Sequence, residues 1–295
     1  MNNDRRSLLK VVATAGAVAA TGSVAARAKE RAQAPPDARG MLYDTTLCIG
    51  CKACVVACRE ANNLEPDLSN SPDGLHDTPI DLNGQTKNII QLFKEDPVRS
   101  YVKRQCMQCI DPACVGACMI GSFKKREYGI VTWDPGRCIG CRYCQMACPF
   151  NIPKFEWESA NPKIVKCEYC KDREGDKAWE PACCEVCPRG AVIAGTHEEL
   201  LKEAQSRLAA NPDRYVPKIY GEHDAGGTQV LYLSHVDFDK IGLPDLGEEA
   251  VPDLPRNLQH GLYQGFITPA VLYFVLGAVM FRNRKKGGGK EGADE

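Results

Sequence analysis

Two stretches of the chain decide its fold: Cys48-Ile49-Gly50-Cys51-Lys52-Ala53-Cys54-Val55-Val56-Ala57-Cys58 and, 90 residues on, Cys138-Ile139-Gly140-Cys141-Arg142-Tyr143-Cys144-Gln145-Met146-Ala147-Cys148-Pro149. Both space their cysteines as C-x2-C-x2-C-x3-C, and the shared Cys-Ile-Gly-Cys core marks an internal repeat. Two further runs lie between and after them. The second motif in chain order is Cys106, Cys109, Cys114 and Cys118; the fourth is Cys167, Cys170, Cys183 and Cys187, followed by Pro188. These two share a Pro-Ala-Cys entry at Pro112 and Pro181, so the array reads as a duplication of a duplication.

Thiolates in clumps are metal ligands, whereas a disulfide framework would scatter its cysteines to staple distant loops. The C-x2-C-x2-C-x3-C-P run is the bacterial ferredoxin spacing, in which three thiolates hold one 4Fe-4S cluster and the fourth serves the other cluster of a pair. Cysteines at two-residue intervals wrap a tight loop, and small residues such as Gly50 and Gly140 let backbone N–H groups approach the sulfurs. The fourth cysteine is expected at the start of a helix, directed to the neighbouring site. Of 17 cysteines, 16 divide into four ligand sets. The x3 spacing selects Cys183 and leaves Cys184 as a packing residue, with ligand exchange as the alternative.

Spacing alone does not fix which motifs pair, but the flanking strands help. Ser122 to Trp133 reads as a hairpin about Glu127-Tyr128-Gly129, which joins motifs two and three into one unit. Met41-Leu42-Tyr43 before the first motif and Ala191-Val192-Ile193-Ala194 after the fourth can pair to close a second sheet around the outer motifs. A nested arrangement follows. One cluster takes Cys48, Cys51, Cys54 and Cys187, and a second takes Cys58, Cys167, Cys170 and Cys183. A third takes Cys106, Cys109, Cys114 and Cys148, and a fourth takes Cys118, Cys138, Cys141 and Cys144.

The ends carry addresses. Residues 1–28 combine Arg5-Arg6 and a small apolar stretch from Val11 to Ala20 with the A-x-A-like Ala26-Arg27-Ala28, which resembles a twin-arginine export signal. Asp4 and Leu8 depart from its usual form. That route carries folded proteins, which suits a cofactor inserted before export. Gly261 to Phe281 holds no formal charge and precedes Arg282, Arg284, Lys285 and Lys286; at 1.5 Å per residue it would span about 30 Å, the thickness of a hydrocarbon core. The basic tail belongs in the cytoplasm by the positive-inside rule, leaving the cysteine-bearing body on the periplasmic side of the cytoplasmic membrane. A buried helix is the other reading of that run. A formal charge of −1 offers nothing to a phosphate backbone, so no nucleic-acid partner is expected.

The four motifs resemble the four-cluster ferredoxin-like electron-transfer subunits found beside molybdopterin oxidoreductases and membrane-bound hydrogenases, a likeness covering Met41 to about Thr196. The entry Gly40-Met41-Leu42-Tyr43-Asp44, the stretch Gly226-Gly227-Thr228-Gln229-Val230-Leu231, Asn257-Leu258-Gln259-His260 and the C-terminal run look like the HybA-type subunits of uptake nickel-iron hydrogenases. The resemblance implies the nested ligation above, four 4Fe-4S clusters, and a relay of electrons. Its partners would be the small and large subunits of a nickel-iron hydrogenase and a multi-helix, quinone-reactive membrane subunit. A molybdopterin oxidoreductase partner is the alternative. Arg59 and Met119 stand where a proline often follows the fourth cysteine, which affects only local turns.

The expected architecture is α+β, two nested bacterial-ferredoxin-like units with an extended C-terminal arm and one transmembrane helix. Its bounds are a signal at 1–28, a four-cluster body at 41–196, a helix and extended arm at 197–256, an anchor at 257–282 and a cytoplasmic tail at 283–295. Arg59 to Gln105 reads as a long surface connection, either a docking surface or an idle loop. Lys124, Lys125, Arg126, Lys163 and Lys166 read as a solvated basic face, with offset of thiolate charge or guidance of a partner as the alternative, and His260 reads as an interfacial histidine, with haem ligation or a quinone pocket as the alternative. There is no C-x2-C-H haem motif, no H-E-x-x-H, no G-x-S-x-G and no dinucleotide fingerprint. The chain is therefore expected to carry electrons without making or breaking substrate bonds. A zinc-stabilised scaffold is the competing class.

Overall fold

The structure is a computed structural model and describes residues 32–65, 79–157, 163–173, 179–252 and 267–287. The signal assigned to 1–28 and His260 lie outside these residues. Two compact units separate, one holding residues 31–253 and the other the described C-terminal helix.

In the larger unit, strand β1 (Arg39–Asp44) is the centre of a three-stranded sheet. It pairs antiparallel with β8 (Val192–Thr196), in the register Met41 to Ala194, Leu42 to Ile193 and Tyr43 to Val192. This is the closure expected of the outer motifs. On its other edge β1 pairs in parallel with β9 (Val230–Leu233), whose four side chains are all buried. Helix α5 (His197–Ala210) follows β8 and buries Leu200 and Ala204 against Leu42, Leu231 and Leu233. A capping box starts it: Glu199 N–H donates to Thr196 Oγ1, and Thr196 N–H donates to the Glu199 carboxylate.

The expected hairpin is present as β4 (Phe123–Lys125) and β5 (Val131–Trp133), turning through Tyr128 and Gly129 at positive φ. Four short helices accompany the motifs: α1 (Ala53–Ala61), α2 (Ala113–Ala117), α3 (Tyr143–Ala147) and α4 (Ala182–Glu185). Helix α1 packs on α4 and α2 packs on α3, so outer and inner motifs each form a pair.

Three expectations need correction. The arm assigned to 197–256 is not extended. Its residues from Tyr215 to Leu243 fold onto the body, because Tyr220, Leu231, Tyr232, Leu233 and Val236 carry enough apolar surface to enter the core, and β9 completes the sheet. Second, the connection from Arg59 to Gln105 contains a regular hairpin, β2 (Asn88–Glu95) and β3 (Val98–Gln105), paired from Asn88–Gln105 to Glu95–Val98. Third, the fourth cysteine of each motif does not begin a helix. Cys54, Cys114, Cys144 and Cys183 lie within the short helices, while Cys118 and Cys148 terminate theirs.

In the smaller unit, helix α6 (Ile267–Gly287) exposes Tyr273, Phe274, Met280 and Phe281. Among the described residues no helix is long and apolar enough to cross a membrane. The uncharged run begins at Gly261, and its first six residues lie outside those described.

Candidate iron-sulfur sites

The same backbone device opens every motif. The residue before the second cysteine is left-handed in all four, as Gly50 (φ 71°), Gln108 (50°), Gly140 (71°) and Tyr169 (56°). This turns the loop so that its N–H groups face sulfur: Gly50 N–H reaches Cys48 Sγ at 3.4 Å and Tyr169 N–H reaches Cys167 Sγ at 3.4 Å. Ser122 N–H reaches Cys118 Sγ at 3.2 Å in the second motif.

The thiols fall into four groups by the charges they exert on one another. Burial, and then mutual repulsion, raises Cys48 beside Cys187 and Cys51, and Cys54 beside Cys48 and Cys187, the latter to about 11. Burial pushes Cys58 up to about 12 with Cys183 and Cys170 beside it, and Cys167 higher still beside Cys58, Cys183 and Cys170. Cys109 is raised by burial and by Cys148, Cys106 and Cys114. Cys144 is pushed up to about 12 by burial, with Cys138, Cys141 and Cys118 around it. The thiols that act on Cys48, Cys58, Cys109 and Cys144 come from the sets in which the sequence reading placed them, whereas on Cys54 the charge of Cys183, from another set, outweighs those of Cys48 and Cys187. Such thiols ionise when iron supplies the compensating positive charge.

Neighbouring groups act on one another in order. The charge of Cys183 in the second group raises Cys54 of the first, that of Cys106 in the third raises Cys167 of the second, and that of Cys144 in the fourth raises Cys114 of the third. The groups thus form a row. Its two terminal groups carry the exposed thiols, Cys51 and Cys141.

Cys48, Cys51, Cys54 and Cys187 line one small pocket, open on one side and walled by Tyr43, Ile90 and Val192. Among the described residues no three Cys, His, Asp or Glu side chains could hold a single metal ion. One tetrahedral zinc would draw its sulfurs to about 3.8 Å of each other. The thiolate donor set at this pocket is the one that holds iron-sulfur clusters.

Cys184 is buried and its thiol is held well above the ordinary value by its hydrogen bond to Cys183, which is lowered in turn. Of the two, Cys184 is the thiol that holds its proton more tightly. Among the basic residues read as a solvated face, Lys166 departs from that reading: it is buried, and its ammonium donates to the Val131 and Cys167 carbonyls and lies 3.9 Å from Cys106 Sγ. Lys103, which the sequence reading passed over, is buried beside Cys183, Cys54 and Cys58. Strand alternation in Val98–Gln105 was the only signal for it, since it places Lys103 and Gln105 on the Tyr101 face.

A ferredoxin-like fold whose thiols are gathered in fours along a row defines an iron-sulfur electron carrier. The model of the 4Fe-4S dicluster domain matches residues 98–197. The "Hydrogenase-2 operon protein HybA" of Escherichia coli O157:H7 is 37% identical, with 96% of each chain covered, and the protein of that name from Shigella flexneri matches equally. The nitrate-inducible formate dehydrogenase iron-sulfur subunit of Escherichia coli K12 is 37% identical over 69% of this chain and 71% of its own. The chain belongs to the HybA-type family of iron-sulfur electron-transfer subunits.

Proposed function

We propose that the protein relays electrons through four 4Fe-4S clusters between a periplasmic nickel-iron hydrogenase and a quinone-reactive integral membrane subunit. The row of four thiol groups carries the reading. Cys48, Cys51, Cys54 and Cys187 hold the first cluster, and Cys58, Cys167, Cys170 and Cys183 the second. Cys106, Cys109, Cys114 and Cys148 hold the third, and Cys118, Cys138, Cys141 and Cys144 the fourth. A bound 4Fe-4S cluster supplies one-electron oxidation and reduction.

The chain's own residues fix how that chemistry is used. Backbone N–H groups at Gly50, Tyr169 and Ser122 donate to thiolate sulfur, which stabilises the more negative state. Tyr43 beside the first group and Tyr169 and Tyr232 beside the second are almost wholly buried and hold water away from those thiols. The exposed terminal thiols leave its two ends open to partners. Residues 1–28 direct export by the twin-arginine route, and residues 257–282 anchor the chain with its basic tail in the cytoplasm. The uncharged stretch from Gly261 to Phe281 supports the anchor.

Hydrogenase is favoured as the catalytic partner because the likeness to HybA covers nearly all of both chains, whereas that to the formate dehydrogenase subunit stops at about two thirds. Anaerobic purification in mild detergent, with iron and sulfide counted per chain, tests the relay: about sixteen of each with 4Fe-4S signals are expected, and zinc with little sulfide would overturn it. Co-purified nickel with hydrogen-dependent dye reduction is the expected partner result. Co-purified molybdenum would replace hydrogenase with a molybdopterin oxidoreductase.

A further inference from the structure

Lysine almost never enters a protein interior without a counter-charge. Among the described residues, Lys103 and Lys166 are the buried lysines. Lys103 stands on β3, where its ammonium donates to Gln105 Oε1 at 2.6 Å and its carbonyl accepts from Tyr232 O–H at 2.7 Å. No carboxylate pairs with it among the described residues. The negative groups that act on it are Cys183, Cys54, Cys58 and Cys167, drawn from the first and second thiol groups. Lys166 faces Cys106 and Cys114 of the third group and Cys167 of the second. The acid near Lys166 is Glu168, which also serves Lys87 and Lys171 and accepts from Trp133 N–H. Lys103 is thus a buried cation whose charge acts on thiols of groups one and two, and Lys166, 3.9 Å from Cys106 Sγ, is one that acts on groups two and three. Among the described residues no other lysine is buried.

We propose that Lys103 and Lys166 are potential-setting residues, fixed positive charges that make the clusters of the first three groups easier to reduce and leave the fourth as the low-potential end of the row. The proposal rests on the iron-sulfur reading above. Its physical basis is direct: adding an electron makes a thiolate-ligated cluster more negative, and a buried cation beside it favours that state with little screening. Neither lysine is a thiolate ligand, and Lys166, next to Cys167 and hydrogen-bonded to its carbonyl, makes the iron count an essential control.

The test uses the full chain, purified anaerobically in detergent, as wild type, Lys103→Met, Lys103→Arg and Lys166→Met. Iron and sulfide are counted, and EPR-monitored redox titration gives the midpoints. In Lys103→Met, with the iron content of wild type, the reduction equilibrium of at least one cluster should fall tenfold or more, about 59 mV for a one-electron step. Lys103→Arg should stay within threefold of wild type. Lys166→Met should shift a cluster in the same direction, and in both Met variants the lowest midpoint should stay in place. If Met at 103 lowers iron content, Lys103→Gln removes the charge with a polar side chain and carries the same expectation. Neutral variants with full iron and unmoved midpoints would overturn the proposal alone. Wild-type protein without iron and sulfide would overturn it together with the relay.

Discussion

Replacing Gly50 by alanine probes the loop of the first motif through two separable costs. Gly50 sits at φ 71°, where an L-residue gives up about 1–2 kcal/mol. An added Cβ would also stand 2.3 Å from Cε1 and 2.5 Å from Cδ1 of Tyr101. That ring belongs to Tyr101 of β3 and must shift before a methyl group fits. Overpacking of this kind costs about 1–3 kcal/mol, for a total of about 2–5 kcal/mol. Gly121 is the built-in control. It has φ 64° with nothing within 4 Å of its added Cβ, so Gly121→Ala isolates the backbone cost. The assay is thermal unfolding of the anaerobic iron-loaded protein, with iron release to a chelator followed in parallel. Gly50→Ala should unfold at lower temperature than Gly121→Ala and release iron faster. Adding Tyr101→Ala should return most of the difference, the non-additivity expected of touching residues. Equal behaviour of the two glycine variants would refute the steric reasoning.

Three other substitutions test the packing around the sites. Gln108 bridges the row, its Nε2 donating to the Cys167 carbonyl at 2.8 Å and its Oε1 accepting from Val131 N–H at 2.8 Å; Gln108→Leu strands two buried backbone groups and should cost about 2–6 kcal/mol in chemical denaturation. Cys184→Ala should retain the full iron complement by elemental analysis, whereas Cys183→Ala should lose a cluster's share. His197 is held below its ordinary value by burial, while its Nε2 meets the Thr228 carbonyl at 3.1 Å. The folded state therefore prefers neutral His197, and its contribution is fully present above the unfolded value of about 6.5 and lost as pH falls below it. Melting temperatures between pH 7.5 and 5.5 should show this slope in the wild type and a weaker one in His197→Gln.

What the sequence made legible was local or repeated. Met41-Leu42-Tyr43 pairs with Val192 to Ala194 as its β-branched and apolar pattern implied, and the helix from His197 begins at the capping residues Thr196 and Glu199. Strand β9 was hidden because Val230-Leu231-Tyr232-Leu233 is short and follows Gly226-Gly227 in a polar segment. Its pairing with β1 spans nearly 190 residues, and no local signal encodes that. The hairpin of β2 and β3 did carry a signal, two short runs with Ile, Leu, Phe, Val and Tyr either side of Asp96-Pro97, but they lack clean alternation and charges at Lys94, Glu95, Arg99, Lys103 and Arg104 masked them. Lys103 looks like a surface lysine in sequence, because burial is set by what the rest of the chain lays over the strand.

The four left-handed positions connect that local geometry to the function. At the terminal groups the position is glycine, and the loops stand open: Ile49 is 55% and Ile139 is 70% exposed, each beside an exposed cysteine. In the middle of the row the same φ is held by Gln108 and Tyr169, both fully buried. Their backbone strain is offset by the ties they make: Gln108 joins the second motif to the fourth and to β5, Tyr169 O–H donates to the Gln229 carbonyl at 3.1 Å, and Trp179 Nε1 donates to the Tyr169 carbonyl at 3.0 Å. Large side chains at these two positions cover the inner thiols and lock β5 and β9 against them. Small ones at the ends leave apolar surface where another protein can come close. One repeated turn, filled differently, thus gives an electron carrier an insulated middle and two accessible ends.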